Sequence, residues 1–515
     1  MKIPTILAIL DGWGVAPPSK GNAITLAKKP TIDRLFEIYP STTLGATGED
    51  VGLEKSKRSG SEAGHMNIGA GRIVKQDSAY ITESIQDGSF FSNAALLGAV
   101  THVKEFKSVL HLMGLMGNYD SPHSEPEHFR AILKLAKIGG IPEVYCHLFT
   151  DGRDSYPKSA LENLANFKKI IEEEGIGKIA TLGGRFYGMD RAKNWSRLTK
   201  AYDAMVFARG EKASSPEEAI EKAYKNNQTD EFILPTVILE GEKPTAKIKD
   251  NDSVIFFNLR SDRARQFTKL FVAMNKENII KDNMPIIDKI PNLYFAAMTS
   301  FGPDLDIHTA FEEHEVPETL PFNLKNIRQL YIAESEKFAH ITYFLNGGYD
   351  QPIGGEERQM IKSKPVDSYD QAPEMSAGEI AQNVIKYIRE KRYDFIALNF
   401  ANADMVGHTG DLAATIKAVE FIDKQIAIIS EEVLKQGGNL IITADHGNAD
   451  DMVDFESEQP NTFHTKNPVP FLLVSDKYKE AKLRDGGVLG NIAPTLLDIM
   501  QIKKSDLMDK ESLLK

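Results

Sequence analysis

Short apolar runs that end in glycine and charge set the rhythm of this chain. Ile3 to Leu10 is such a run and stops at DGWG. Read as a strand buried on both faces, it delivers Asp11 to a strand's C-terminal edge, where open α/β sheets bind ligands. Thr31 to Tyr39 has helical spacing (Ile32, Leu35, Phe36, Tyr39), and Pro40 stops it. Helices are predicted over Phe129 to Ile138, Lys158 to Glu172 and Trp195 to Ala208. Between them fall strands at Glu143 to Phe149, ending in TDGRD, and Lys178 to Leu182, ending in GGRFYGMDR. A strand from Ser253 to Asn258 runs into LRSDRAR, followed by a helix through Phe271. The last third gives helices over Ala333 to Phe344, Gly378 to Glu390 and Leu412 to Leu434. Its strands are Phe395 to Phe400 (into ANADMVGHTGD), Leu440 to Thr443 (into ADHGNADD) and Val469 to Val474. This alternation is a βαβ pattern, so the fold class is α/β with mostly parallel sheets and active residues on strand ends.

Composition narrows the picture. At 515 residues the chain is long enough for about two to four domains. A formal net charge of −12 argues against a nucleic-acid partner, which needs a basic field. The one cysteine, Cys146, lies in the apolar VYCHLF and reads as a small core residue; no intrachain disulfide is possible, which fits a reducing cytoplasm. No apolar run reaches the ~18 residues of a membrane span, and the N-terminal run is too short for a signal segment. The expectation is a soluble cytoplasmic protein with no membrane partner. No heptad or exposed apolar stripe demands a second copy, so a monomer is expected.

The chemistry gathers at the strand ends. Asp11, then Asp404 and His408 (spaced i, i+4), then Asp445 and His446, then His464 follow apolar runs or glycine-rich turns. Singly, each is an ordinary turn residue. Together, aspartate oxygen with histidine nitrogen and no cysteine is the donor set of Mn²⁺, Mg²⁺ or Zn²⁺, and it is large enough for two ions. Near them stands SGSEAGHMNIGAGR, Ser59 to Arg72, read as a glycine-rich loop around Ser61. A serine hydroxyl needs a base or a metal to become a nucleophile, and two cations answer that need. Neither GxxxxGK[ST] nor GxSxG occurs at this loop, which leaves out a P-loop and a hydrolase elbow there. In the middle third, Arg153, Arg185, Arg191, Arg260 and Arg263 sit in turns after strand-like runs. Their planar forks suit a small substrate with more than one anionic group. Asp154 is a candidate acid/base toward a hydroxyl. His123 and Lys337 are candidate phosphate contacts.

These strings together resemble the 2,3-bisphosphoglycerate-independent phosphoglycerate mutases, nearly end to end. DGWG, SEAGHMNIGAGR, DGRD, GRFYGMDR, FNLRSDRARQ, AESEKFAHITYFLNGG, NFANADMVGHTGD, TADHGNADDM and HTKNPVPFLL look like that family's motifs, in its order. The resemblance implies an alkaline-phosphatase-like domain, 1–76 and 312–515, carrying an inserted transferase domain, 77–311. It assigns Asp404, His408 and His464 to one manganese, and Asp11, Ser61, Asp445 and His446 to the other. Ser61 becomes the phosphorylated nucleophile. His123, Arg153, Asp154, Arg185, Arg191, Arg260, Arg263 and Lys337 line the substrate site. The implied reaction interconverts 3-phosphoglycerate and 2-phosphoglycerate through phosphoserine, without 2,3-bisphosphoglycerate, with closure of two domains excluding water. The chain departs from the family at Gly60, where asparagine is usual, around His123 (MGNYDSPHSEPEH), and over Ile361 to Ala372.

Overall fold

The computed structural model describes the chain except residues 1–3, 56, 273–278, 280–281, 303, 313–314, 367 and 455–458. Ile3 of the expected first strand and Asp367 of the divergent segment therefore lie outside the described residues. The chain divides into two compact units, Met1–Gln76 with His314–Lys515, and Asp77–Glu313.

The first unit is built on an eight-stranded sheet among the described residues. Its order is Glu357–Ile361, Gln329–Glu334, Phe395–Phe400, Thr5–Leu10, Asn439–Thr443, Val469–Val474, Ser41–Gly45, Gly487–Val488. The first five strands are mutually parallel; Val469–Val474 runs antiparallel to both neighbours. Ile9 pairs with Asn399 on one side and Thr443 on the other, so Asp11, Asp404 and Asp445 leave adjacent strands at one edge. The central strands are buried at every residue, which is why they read as unbroken apolar runs rather than alternating ones. The helix Leu412–Lys435 starts at an Asp411 cap that accepts from the Ala414 amide, and buries Ala418, Val419, Ile422, Ile426, Ile429 and Val433 at helical spacing. Each large apolar side chain so buried contributes roughly 1.5–3 kcal/mol.

The second unit has its own sheet. Six parallel strands, His308–Phe311, Tyr294–Thr299, Ser253–Phe256, Leu110–Leu115, Val144–Thr150 and Lys178–Gly184, continue into the antiparallel Thr236–Glu240 and then Glu211–Ala213. Alternate residues of one strand feed two cores. Val254 and Phe256 pack in the cluster of Phe267, Phe271 and Phe295, while Ile255 packs in the cluster of Leu110 and Leu112. Cys146 is buried on the strand Val144–Thr150, and burial pushes its thiol pKa up.

Two stretches differ from expectation. Ser59 to Arg72 is not a loop: Ser61–Ala70 is a helix, with Gly60 at its N-cap. Its glycines serve close approach, since a Cβ on Gly64 would lie 2.6 Å from the Asp445 carbonyl oxygen and one on Gly69 only 1.9 Å from that of Leu345. Ala333 to Phe344 is not one helix. Gln329–Glu334 is a strand, Ser335 to Lys337 is a turn, and helix begins only at Phe338, leading into His340–Phe344. QLYIAE is a short apolar run whose spacing suits either element, and pairing between Phe395–Phe400 and Glu357–Ile361 decides it. Smaller differences are at ends: the strand from Ser253 stops at Phe256, and the helix after it stops at Thr268.

Candidate active site

In the first unit, seven expected side chains, Asp11, Ser61, Asp404, His408, Asp445, His446 and His464, converge with Lys337 at the C-terminal edge of the parallel strands. Ser61 opens its helix, and its Oγ lies 3.2 Å from Asp11 Oδ1, 2.9 Å from His446 Nε2 and 2.6 Å from Lys337 Nζ. Lys337, from the turn after Gln329–Glu334, also donates to Asp11 Oδ1 and Asp404 Oδ2, each at 2.6 Å. His408 and His464 complete the constellation: each Nε2 is 3.2 Å from Asp404 Oδ1, and the two are 3.0 Å apart.

The imidazoles share one arrangement. His408 Nδ1 donates to the Thr462 carbonyl at 2.8 Å, His464 Nδ1 to that of Ser59 at 2.7 Å, and His446 Nδ1 to that of Gly447 at 3.3 Å. With the proton on Nδ1, each Nε2 presents a bare lone pair inward. Two bare nitrogens 3.0 Å apart repel unless a cation lies within reach of both. Asp404 Oδ1 and Asp445 Oδ2 are buried and accept no hydrogen bond. Orphaned carboxylate oxygens beside lone-pair nitrogens that are braced from behind by carbonyls are the donor set of a divalent cation. Asp404, His446 and His464 fall within ligating reach of one another, and so do Asp11, Asp445 and His446. His446 thus stands near both groups, whereas the family resemblance gives it to one ion only.

The charges respond to this crowding. Burial, with Asp445 next, raises Asp11 to about 6. Burial alone would also raise Asp404 and Asp445; the Lys337 ammonium at Asp404, and the His65 N–H with Lys337 at Asp445, outweigh it, so both stay below the usual carboxylate range. Burial lowers the His446 pKa, which keeps its ring neutral for ligation. The ammonium of Lys337 is held protonated by Asp11 and Asp404 against its own burial.

In the second unit, four adjacent strands send loops to their common C-terminal edge. Arg185, just past Lys178–Gly184, is buried and donates through Nη1 to Asp151 Oδ1 at 2.6 Å and Asp154 Oδ2 at 2.5 Å. Its Nη2 lies 2.9 Å from His123 Nε2. Burial, with Arg185 next, pulls the His123 pKa down to about 4, so the ring is neutral and Nε2 is the accepting nitrogen. His123 is held in place through its backbone, which accepts from the Leu259 amide and donates to Ser121 Oγ. Asp154 is kept ionised because the Arg185 guanidinium overcomes its burial.

Arg191 Nη1 reaches Asp262 Oδ2 at 3.3 Å, Arg260 Nε lies 3.6 Å from Asp262 Oδ1, and Arg153 Nη1 lies 3.9 Å from Glu231. Arg263 donates to the Met189 carbonyl at 3.4 Å. Burial and the neighbouring Arg191, Arg185 and Arg153 push the Arg263 pKa down. A guanidinium does not give up its proton near neutral pH. The downward push therefore expresses a buried cation crowded by others, a strain that an anionic ligand relieves.

Sequence reasoning gave Lys337 both as a catalytic residue and as a substrate contact; in the structure its hydrogen bonds run to Asp11, Ser61 and Asp404. Asp151 and Asp262, which orient the arginines, were not singled out, although both lie inside quoted motifs. His65 and Asn399 were also missed. Asn399 is the one polar residue of the apolar FIALNF, and for His65 the only signal was its i, i+4 spacing from Ser61.

Comparison with known proteins gives concordant matches. The metalloenzyme superfamily matches residues 3–504. The 2,3-bisphosphoglycerate-independent phosphoglycerate mutase of Clostridioides difficile (strain 630) is 47% identical, over 100% of this chain and 99% of the relative. The enzyme of the same name from Clostridium acetobutylicum is 46% identical over 99% of each. Among solved structures, Leishmania mexicana phosphoglycerate mutase at low cobalt concentration matches with a TM-score of 0.88 and 26% identity, covering 100% of this chain and 98% of that one. Among the described residues no helix is long and apolar enough to cross a membrane.

Proposed function

Because the chain belongs to the 2,3-bisphosphoglycerate-independent phosphoglycerate mutases of the metalloenzyme superfamily, we propose that it interconverts 3-phosphoglycerate and 2-phosphoglycerate with Ser61 as the phosphoryl carrier. The observation that carries this reading is the position of Ser61 Oγ. It opens a helix, 2.6 Å from the Lys337 ammonium and 2.9 Å from the bare Nε2 of His446.

Asp404, His408 and His464 would hold one divalent ion, and Asp11, Ser61, Asp445 and His446 the other, with manganese the ion proposed. Such ions supply charge neutralisation for the phosphoryl oxygens and for a deprotonated serine. Ser61 Oγ attacks the phosphorus, the bond from phosphorus to the glycerate oxygen breaks, and that oxygen gains a proton as Ser61 loses its own. Phosphoserine at the first residue of a helix is favoured by the unpaired amides and the helix dipole. The second half returns the group. The other glycerate hydroxyl gives its proton to Asp154, attacks the phosphoserine, and the P–Oγ bond breaks; Ser61 Oγ is then reprotonated and Asp154 gives up its proton, so both return to their starting states. Arg153, Arg185, Arg191, Arg260 and Arg263 hold the carboxylate and phosphate of the glycerate, with His123 as a neutral hydrogen-bonding partner.

The test is a coupled assay with enolase, free of 2,3-bisphosphoglycerate, with and without Mn²⁺. Mutase turnover that depends on added ion is expected. Release of free phosphate instead of 2-phosphoglycerate would replace the mutase by a phosphomonoesterase, and no product at all would leave only an anion-binding protein.

A further inference from the structure

His65 and Asn399 lie behind the candidate metal ligands, and their contacts form a closed circuit. Asn399 sits on the strand Phe395–Phe400, fully buried, and its Nδ2 donates to Asp11 Oδ2 at 2.8 Å. The same Nδ2 lies 3.0 Å from His65 Nε2. Turned the other way, the amide would set its oxygen against the Asp11 carboxylate, so the donating side is the one that fits. His65 Nε2 therefore accepts, and its proton sits on Nδ1. That Nδ1 faces the Ser61 carbonyl at 2.8 Å and Asp445 Oδ2 at 3.2 Å. His65 is also buried, one helical turn after Ser61.

The circuit sorts the carboxylate oxygens. Asp11 Oδ2 is engaged by Asn399, which leaves Oδ1 toward Ser61 Oγ. Asp445 Oδ1 accepts from the backbone amides of Gly12 and His446, which leaves Oδ2 beside His65 with no hydrogen bond. One oxygen of each aspartate is thus tied to the scaffold and the other is aimed inward. Asn399 holds Asp11 and His65 stands beside Asp445 Oδ2, so the single His65–Asn399 contact links the surroundings of the two carboxylates.

We infer that His65 and Asn399 are a positioning pair that fixes Asp11 and Asp445, together with the first turn of the Ser61 helix, for the ion these residues share. This rests on the two-ion reading of the site. It concerns only one of the two ions, because among the described residues the side-chain hydrogen bonds and ion pairs of both, apart from the one that joins them, run to Asp11, Ser61 and Asp445 and to none of His408, His464 and Asp404. Braces of this kind behind metal ligands typically change affinity by about 10- to 100-fold when removed.

The test is Mn²⁺ titration of the full-length protein freed of metal, read by ion stoichiometry and by electron paramagnetic resonance. Wild type is compared with Asn399→Leu, His65→Leu and His65→Asn, and each variant's thermal transition is recorded without metal. Wild type binding two ions is the control; fewer than two defeats the reading of the site rather than this inference. With two ions in wild type, Asn399→Leu and His65→Leu are expected to weaken one ion at least about tenfold and leave the other unchanged. His65→Asn sets a donor near the place of Nδ1 and is expected to recover part of that loss. Equal weakening of both ions, no weakening of either, or no recovery by His65→Asn would overturn the assignment. Should a leucine variant fail to show a thermal transition, the comparison of His65→Asn with wild type decides by the same criterion: one ion weakened supports the pairing, and none or both weakened overturns it.

Discussion

His464 Nδ1 donates to the carbonyl of Ser59 across 2.7 Å, joining residues 405 positions apart in the chain. The contact does two things at once. It fixes the tautomer that leaves His464 Nε2 bare toward Asp404, and it seats the residue two before Ser61. The segment that carries the hydroxyl is thus placed by a candidate metal ligand through its backbone, independently of the hydroxyl itself. Ser61→Ala should therefore abolish turnover while metal content stays close to wild type. The check is the enolase-coupled rate beside ion stoichiometry, and mutase activity near wild type would remove Ser61 as the carrier.

Chelation addresses the imidazole arrangement. Three bare Nε2 atoms and the orphaned Asp404 and Asp445 oxygens make the metal-free site self-repelling. An ion present at about a hundred times its Kd stabilises the folded chain by about 3 kcal/mol. Treatment with a chelator should lower the melting temperature and abolish activity, and Mn²⁺ should restore both. Because the ligand histidines must be neutral, mild acid should lower activity at fixed Mn²⁺, and added Mn²⁺ should recover it. An unchanged melting temperature after verified metal removal would count against the site.

Arg185 and Arg191 should separate along two axes. Arg185 is buried between Asp151 and Asp154, and its loss leaves a buried carboxylate unpaired. Arg185→Ala should destabilise the protein by about 3–5 kcal/mol as well as reduce kcat/KM. Arg191 is 38% exposed and pairs with Asp262 at 3.3 Å, a geometry worth at most about 1 kcal/mol. Arg191→Ala should leave stability nearly unchanged and raise KM for phosphoglycerate. Denaturant unfolding and steady-state kinetics on both variants give the comparison, and an unchanged KM in Arg191→Ala would remove it from the anion clamp.

Much of this arrangement can be read from the residues alone, because parallel strands deliver their chemistry at one edge. Asp11, Arg185 and Asp445 each follow a short, mainly apolar run, and such a run marks a strand buried on both faces over most of its length. The Ser61 segment is different. Its glycines look like turn material, yet Gly64 and Gly69 are needed because Asp445 and Leu345 press against the helix, and those contacts come from distant parts of the chain. The helix predicted over Ala333 to Phe344 overlaps the end of the Gln329–Glu334 strand for a similar reason: the spacing of that run is ambiguous and only its neighbours settle it. His65 and Asn399 are single buried polar residues whose importance lies in each other, 334 positions apart. No local pattern carries such a pair.

His123 gives a pH dependence with a definite sign. Its pKa is about 4 in the folded protein, against an ordinary 6.5, because of burial and the adjacent Arg185. The unfolded chain therefore binds the proton first as pH falls. The stabilisation is fully present above pH 6.5 and is lost progressively as pH drops toward 4. Between pH 6.5 and 5 this one group removes about 2 kcal/mol. His123→Gln should show a correspondingly shallower fall in unfolding free energy over that window. The same slope in wild type and variant would mean that the ring titrates normally in the folded state.

Gly60 and Gly64 flank the nucleophile and should respond oppositely to a side chain. Gly60 is extended, with φ −147° and ψ 177°, a conformation open to any residue. A Cβ there would lie 3.4 Å from the His464 ring, an ordinary contact. It is also the N-cap of the Ser61–Ala70 helix and makes no side-chain cap, a position where asparagine is among the preferred residues. Gly60→Asn, the residue usual in the family, should keep activity within a few-fold and raise stability by a few tenths of a kcal/mol, about the difference between glycine and asparagine at a cap. Gly64 has no such room. A Cβ there would lie 2.6 Å from the Asp445 carbonyl oxygen and 2.7 Å from the Asp445 Cβ. Backbone cannot yield as a flexible side chain can, so Gly64→Ala should displace the Ser61 helix from Asp445, at a cost of about 1–3 kcal/mol, typical of overpacking. Turnover should fall by more than stability predicts, because the displaced contact joins the nucleophile's helix to a metal ligand. Thermal unfolding, ion stoichiometry and the coupled rate on the two variants test the contrast, and a fully active Gly64→Ala would show that the helix and Asp445 need not touch for the site to work.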